Sequence, residues 1–377
     1  MKKPGNPFPT AGYYGADYFC DRTAEAHKIL QNITNGQSVT LTAIRRIGKT
    51  GLIQHVIARL PVNWTGVYVD ILGAENLNDF LNLLVTALVN SVPEKSPVGK
   101  KFWNFIRSLR PTLTFDALTG TPQVTIEIKP IETTHHIESV LMFLEEQPHQ
   151  ILLAIDEFQQ ILNFPEKNTD AWLRSVIQRI KNIKFIFSGS QQHLMTGLFT
   201  NPSRPFFRST QFMKLGKINT NEYRIFILRQ FEKGKKKISE NIVDNMLEWA
   251  DHHTYYVQLI CNRVYSYPDQ TINDKIWTAE AFRLLKEQET VFFNYRDLLT
   301  QPQWNLLKAI AYDLKAYTPT SGEFMTKHHL SGSATVLQGL RSLEKKEMIF
   351  ADYDSEGKLY YSVYDVLFQR WIQQILK

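Results

Sequence analysis

Ser38-Val39-Thr40-Leu41-Thr42-Ala43-Ile44-Arg45-Arg46-Ile47-Gly48-Lys49-Thr50-Gly51-Leu52-Ile53 is the stretch whose reading decides the fold. It opens as an apolar, β-branched run, turns through a short basic segment, and closes as an amphipathic helix that continues to Leu60. The turn Ala43 to Thr50 is the phosphate-binding-loop pattern with alanine in place of its first glycine. The spacing has a chemical reason. A strand ends, successive main-chain N–H groups wrap an anion, and a helix begins with its positive dipole end aimed at phosphate. On this reading the backbone of Arg45, Arg46, Ile47 and Gly51 completes the cradle. Gly48 lets the chain approach closely, Lys49 reaches the β and γ phosphates, and the Thr50 hydroxyl is placed for Mg²⁺. The competing reading is a strand–turn–helix that carries Gly-Lys-Thr by coincidence. The strand before the turn and the helix after it favour the phosphate loop.

The chain of 377 residues is long enough for two or three domains and a sizeable core. Hydrophobic residues make up 43% and charged residues 21%, the balance of a soluble globular protein. A net charge of +6 permits an acidic or nucleic-acid partner without requiring one. Cys20 and Cys261 are too few for a disulfide framework and lack metal-ligand spacing. Met1 to Thr10 has two lysines but no apolar segment behind them, so it does not read as a signal peptide. No apolar run is long enough for a bilayer, and a cytoplasmic protein with no membrane partner is expected.

Two further strands belong with the loop. Ile151 to Ile155 is an apolar or small run that ends in Asp156-Glu157, as in a buried parallel strand whose tip carries two carboxylates. Ligands of open α/β sheets lie at such tips. Asp156 would hold Mg²⁺ through its water shell, and Glu157 would polarise the water that attacks the γ-phosphate. Lys184 to Ser190 is another buried strand with small polar residues at its end. Ser190 is the chosen γ-phosphate sensor and Ser188 its alternate, against a plain strand-to-turn exit. Arg204 and Arg208 stand on a proline-bounded loop, where either could meet phosphate charge in cis or across a subunit boundary. Arg22 reads either as a surface ion pair or as a residue on the adenine or ribose side, with Asp21 or Thr23 capping the helix that follows.

The organisation then reads as an extended arm over residues 1–17, an α/β core over 18–217, a helical lid over 218–280 and a third unit over 281–377. Residues 112–128 alternate and read as a β-hairpin insertion, and the stretch before it is basic and aromatic, with Trp103, Arg107 and Arg110. His252-His253 joins two lid helices, and a contact from the helix start to nucleotide is the functional reading for His253. In the third unit, three helices precede a hairpin turning at Asp354 to Lys358. That is a winged helix with Ser333 to Leu343 as its recognition helix, open to a DNA or a protein partner.

The order of phosphate loop, acid-tipped strand, Gly-Ser-ended strand, helical lid and winged helix resembles the AAA+-related STAND ATPases of the archaeal and bacterial ATPase-domain family. The carrying motifs are DRTAE at 21–25, RRIGKTGLI at 45–53, LLAIDEFQ at 152–159 and IFSGSQQHLM at 186–195. The resemblance covers essentially the whole chain. It implies ATP and ADP as ligands with Mg²⁺, a three-layer parallel-sheet core, a small lid and a C-terminal winged helix. It also implies slow hydrolysis in a conformational switch. Lys49 and Thr50 carry over as phosphate and Mg²⁺ residues, Asp156 and Glu157 as metal and hydrolysis residues. Ala43, Cys20 and the His252-His253-Thr254 stretch depart from the family pattern, where two glycines and a Gly-His-Pro motif are usual. A nucleotide-responsive DNA-binding regulator and a non-hydrolysing ATP scaffold are the alternatives. Oligomeric state is not readable from the chain.

Overall fold

A strand order that no local pattern reveals places the strand before the Ala43–Thr50 loop inside a sheet, one position from its edge. The computed structural model describes residues 4–92, 97–109, 111–116, 120–126 and 130–375; Arg110 and the hairpin positions 117–119 and 127–128 lie outside them. The chain divides into two compact units, Arg22–Gly216 and Met1–Asp21 with Lys217–Lys377.

The first unit runs α1 (Thr23–Thr34), β1 (Val39–Thr42), α2 (Lys49–Ile57), β2 (Trp64–Asp70), α3 (Leu77–Ser91) and α4 (Pro97–Ser108). It continues with β3 (Thr112–Phe115), β4 (Pro122–Thr125), α5 (Pro130–Glu145), β5 (Gln150–Asp156), α6 (Thr169–Ile177), β6 (Ile183–Gly189), α7 (Gln192–Thr200) and β7 (Gln211–Lys214). Strands β3 and β4 pair as an antiparallel hairpin. The other five strands form one parallel sheet in the order β2-β5-β6-β1-β7. β5 and β6 are buried almost end to end. Such strands need helices on both faces, which is why Ile151 to Ile155 and Phe185 to Phe187 are apolar without alternation. The three-layer α/β architecture follows from that burial.

Because the sheet is parallel, all five carboxyl ends share one edge. Register then fixes the neighbours there: Asp70 stands opposite Asp156, and Thr42 opposite Gly189. The loop after β1 and the acids that end β5 therefore meet at a strand-order reversal, where open α/β sheets bind ligands. Strand β7, with only Met213 buried, closes the far side of β1.

The second unit holds α8 (Thr220–Lys233), α9 (Glu240–Trp249), α10 (Thr254–Ser266), α11 (Asp274–Glu287) and α12 (Glu289–Asp297). Then come α13 (Gln301–Asp313), α14 (Gly322–Lys327), α15 (Ser333–Lys345), the antiparallel pair β8 (Ile349–Tyr353) and β9 (Leu359–Val363), and α16 (Val366–Ile375). Helices α13, α14 and α15 followed by β8–β9 are the winged helix, and α15 contains the segment expected as its recognition helix. One hydrophobic core joins the N-terminal segment, α8–α11 and the winged helix. Phe8 is fully buried against Phe226, Phe231 and Tyr265, so residues 4–21 are built into this unit. Both cysteines lie in the same core as buried free thiols. Among the described residues no helix is long and apolar enough to cross a membrane.

Candidate nucleotide-binding site

The loop after β1 has the backbone a phosphate cradle needs. Gly48 has φ +95°, a left-handed conformation that glycine adopts without strain, and it sits directly ahead of α2. Arg46 is also left-handed, at φ +63°. Ala43 is fully buried and keeps a negative φ, so this position makes no demand that alanine cannot meet. The departure at the first glycine is thus accommodated. Arg45 and Arg46 face solvent, while Ile47 is buried beneath the loop.

Behind the loop stands Arg22. It is 3% exposed, so the reading of a surface ion pair is corrected. Its guanidinium donates to the Gly216 carbonyl at 2.7 Å, to the Ile47 carbonyl at 3.4 Å and to Glu25 Oε1 at 2.8 Å. Those contacts turn it toward the underside of the loop. Asp21 and Thr23 do not cap α1 either; Arg22 itself holds the N-cap position in a left-handed conformation.

The head of α2 meets the acids. Lys49 Nζ lies 3.0 Å from Asp156 Oδ1 and 3.0 Å from Glu157 Oε1. Thr50 Oγ1 donates to Asp156 Oδ2 at 2.9 Å. Ser188 Oγ donates to Asp156 Oδ1 at 2.6 Å, and Tyr68 OH to Oδ2 at 2.9 Å. Glu157 accepts from Gln159 Nε2 at 2.6 Å and from Ser190 Oγ at 2.9 Å. Glu157 is left-handed at φ +56°, and Phe158 beside it is fully buried among Phe187, Phe199 and Phe206. That aromatic anchor fixes the turn that presents the acid.

Burial alone would push both carboxyls up. The Lys49 ammonium, helped by Ser188 and Tyr68 at Asp156 and by Gln159 at Glu157, outweighs it and holds both below the usual carboxylate range. The Tyr68 phenol moves the other way, since burial and the charges of Asp156 and Asp70 keep it protonated as a donor. Asp70 is raised by burial, and the neighbouring charge of Asp156 adds to the rise.

The sign of the pH effect follows. For Asp156 and Glu157 the folded pKa lies below the unfolded one, so their stabilisation is present above the unfolded values, about 3.9 and 4.3. It is lost as pH falls through the folded values. The unliganded chain should therefore lose thermal stability below about pH 4, with a Lys49→Met chain losing much less on acidification. Thermal unfolding of the two chains across pH 3 to 7 checks this.

Ser190 and its alternate Ser188 each reach one of the two acids. Ser188 is fully buried and orients Asp156, whereas Ser190 touches Glu157. Tyr68 and Gln159 are the residues that sequence reasoning missed. Gly189 explains Gln159. A Cβ there would lie 2.1 Å from Gln159 Oε1 and 2.7 Å from Met195 Cγ. Gly189→Ala should push Gln159 off Glu157 and cost about 1–3 kcal/mol by overpacking, read as a lower unfolding midpoint.

Arg208 is not brought here. It lies beside Ser209, three residues before β7, at the amino ends of the strands. Four residues of β1 or β7, roughly 13 Å of strand, separate that edge from the phosphate loop. A contact in cis is excluded on that distance. Arg204 pairs with Asp170 at 3.4 Å. His253 belongs to the second unit, where it precedes α10, buried at 3% exposure against the Tyr256 ring.

The donor set fits a Mg–triphosphate: a glycine-headed helix N-terminus, a buried ammonium, and a hydroxyl beside a carboxylate. Thr50 and Asp156 are the oxygens offered to Mg²⁺, which ordinarily completes its shell with water and phosphate oxygens. The fold is that of a P-loop NTPase core with a C-terminal winged helix. The model of a probable winged helix domain matches residues 290–374. No curated protein sequence matches the chain. Among solved structures, a Walker-type ATPase of Pyrococcus abyssi is similar at TM-score 0.67 and 16% identity, covering 97% of this chain and 99% of that one. The ORC2 protein of Aeropyrum pernix, in ADPNP–ADP complexes, gives 0.59 at 12% identity, with 98% of each chain covered. The ORC1 protein of the same organism, in complex with DNA, gives 0.54 at 12%, with 98% and 96% covered. At these identities the likeness is one of fold.

Proposed function

We propose that the Arg22–Gly216 unit binds Mg·ATP and hydrolyses it slowly, and that the nucleotide state acts as a conformational switch. The observation that carries the reading is Lys49, held by Asp156 and Glu157 at the head of a glycine-started helix. One ammonium has two sets of claimants. Phosphate oxygens at the loop would draw Lys49 away from the acids and leave Thr50 and Asp156 to the metal. Glu157, losing its nearest positive charge, would become a better base for water at the γ-phosphate. Ser190 and Gln159 keep that carboxylate oriented. A resting state in which the base is neutralised by the phosphate lysine accounts for low basal turnover. The likeness to ORC2 in its ADPNP–ADP complexes supports the same ligand class here.

Single-turnover hydrolysis of labelled ATP with enzyme in excess tests the reading. Slow release of labelled phosphate is expected. ATP held for hours without cleavage would favour the non-hydrolysing scaffold.

A DNA partner is a second reading, supported by the winged helix and by the likeness to a DNA-bound ORC1 structure. Helix α15 presents Gln338, Arg341 and Lys345 away from its buried residues Val336, Leu340 and Leu343. Filter binding at 50 and 200 mM salt should show affinity for duplex DNA falling by at least tenfold, because phosphate contacts release counterions. Salt-independent retention would point to a protein partner instead.

A further inference from the structure

At the edge of the sheet opposite the phosphate loop lies a cavity of about 400 Å³ that the nucleotide reading leaves unused. It is walled by the amino ends of β1, β6 and β7 and by α6. Three cations line it, Arg174, Lys184 and Arg208, together with the hydroxyl residues Ser38, Ser209 and Thr210. None of its described lining residues is a carboxylate. Arg174 Nε is shut off from solvent and has no hydrogen-bond partner among the described residues. The Arg174 side chain is half-buried, and its sequestered Nε–H costs free energy unless an acceptor meets it. Burial disfavours the charged forms of Arg174 and Lys184, with Glu145 only partly compensating the latter. The volume falls in the range of small-molecule sites.

We propose that this cavity binds a small phosphorylated anion at a site separate from the phosphate loop. The guanidinium of Arg174 offers the planar fork that phosphate oxygens match, Arg208 and Lys184 supply further charge, and Ser38, whose Oγ accepts from the Phe185 N–H at 3.0 Å, keeps its hydroxyl proton for the anion. β1 and β6 run from this cavity to the phosphate loop and to Ser188, so the two sites share strands.

The test uses the full chain with Lys49→Ala, which removes the cation of the phosphate loop, titrated calorimetrically with inorganic pyrophosphate without magnesium. Saturable binding is expected, weakened at least tenfold by adding Arg174→Gln and several-fold by adding Arg208→Gln. Circular dichroism checks the fold of each chain. Should Arg174→Gln fail to fold, Lys184→Met combined with Arg208→Gln carries the same expectation. Absence of saturable binding in the Lys49→Ala chain overturns the proposal. So does binding that is unchanged by the cavity substitutions.

Discussion

Lys49→Ala is expected to lower affinity for Mg·ATP by about 100-fold or more, the scale of roughly 3 kcal/mol for a charged hydrogen bond in a mostly buried site. The loss has two sources. The ammonium that would meet the β and γ phosphates is gone, and Asp156 and Glu157 are left as adjacent anions facing the incoming ligand. The same substitution should destabilise the unliganded chain. Lys49 and Asp156 are 8% and 3% exposed in their side chains, and breaking one partner of such a buried pair costs about 3–5 kcal/mol. Titration calorimetry and thermal unfolding read the two effects separately. Lys49→Met distinguishes them from a packing effect, since it restores the apolar stem without the charge.

Glu157→Gln should leave Mg·ATP affinity within a few-fold of the parent while slowing hydrolysis by about 10²–10⁴, the usual worth of a positioned general base. Geometry makes the substitution conservative. Glutamine is isosteric, can still accept from Ser190, and leaves the Phe158 anchor untouched. It cannot take a proton from water. Rapid-quench hydrolysis with equilibrium binding on the same preparation checks both halves. A Glu157→Gln enzyme that cleaved ATP at the parental rate would remove Glu157 from the role of base.

The centre of the fold was legible because its signals are local. A β-branched strand, a Gly-Lys-Thr turn and an amphipathic helix occupy one uninterrupted stretch, and Asp156-Glu157 ends an unbroken apolar run. The winged helix was legible for the same reason, through three short helices and an Asp354–Lys358 turn. Strand β7 was not. Gln211–Lys214 buries only Met213 and shows no alternation, so its place beside β1 depends on pairing that sequence does not encode nearby. Tyr68 was missed because it belongs to no motif, and Gln159 because it ends the LLAIDEFQ stretch with no role of its own assigned. Tyr68 reaches Asp156 from the neighbouring strand, and Gln159 reaches Glu157 only through the tight turn that Phe158 pins. The burial of Arg22 was not legible because its partners, Ile47 and Gly216, are distant in sequence and are backbone carbonyls. Arg208 illustrates the converse. A loop arginine after the Gly-Ser strand reads naturally as a phosphate contact, but a parallel sheet sends the chain back to its amino edge before the next strand begins.

The central claim is that a triphosphate docks on the loop and takes Lys49 from the acids. A crystal structure with Mg²⁺ and a non-hydrolysable ATP analogue tests it directly. The account predicts phosphate oxygens among the main-chain amides from Arg46 to Thr50, with Lys49 Nζ turned from Asp156 and Glu157 toward them. Nucleotide bound elsewhere, with Lys49 still 3.0 Å from both carboxylates, would contradict it.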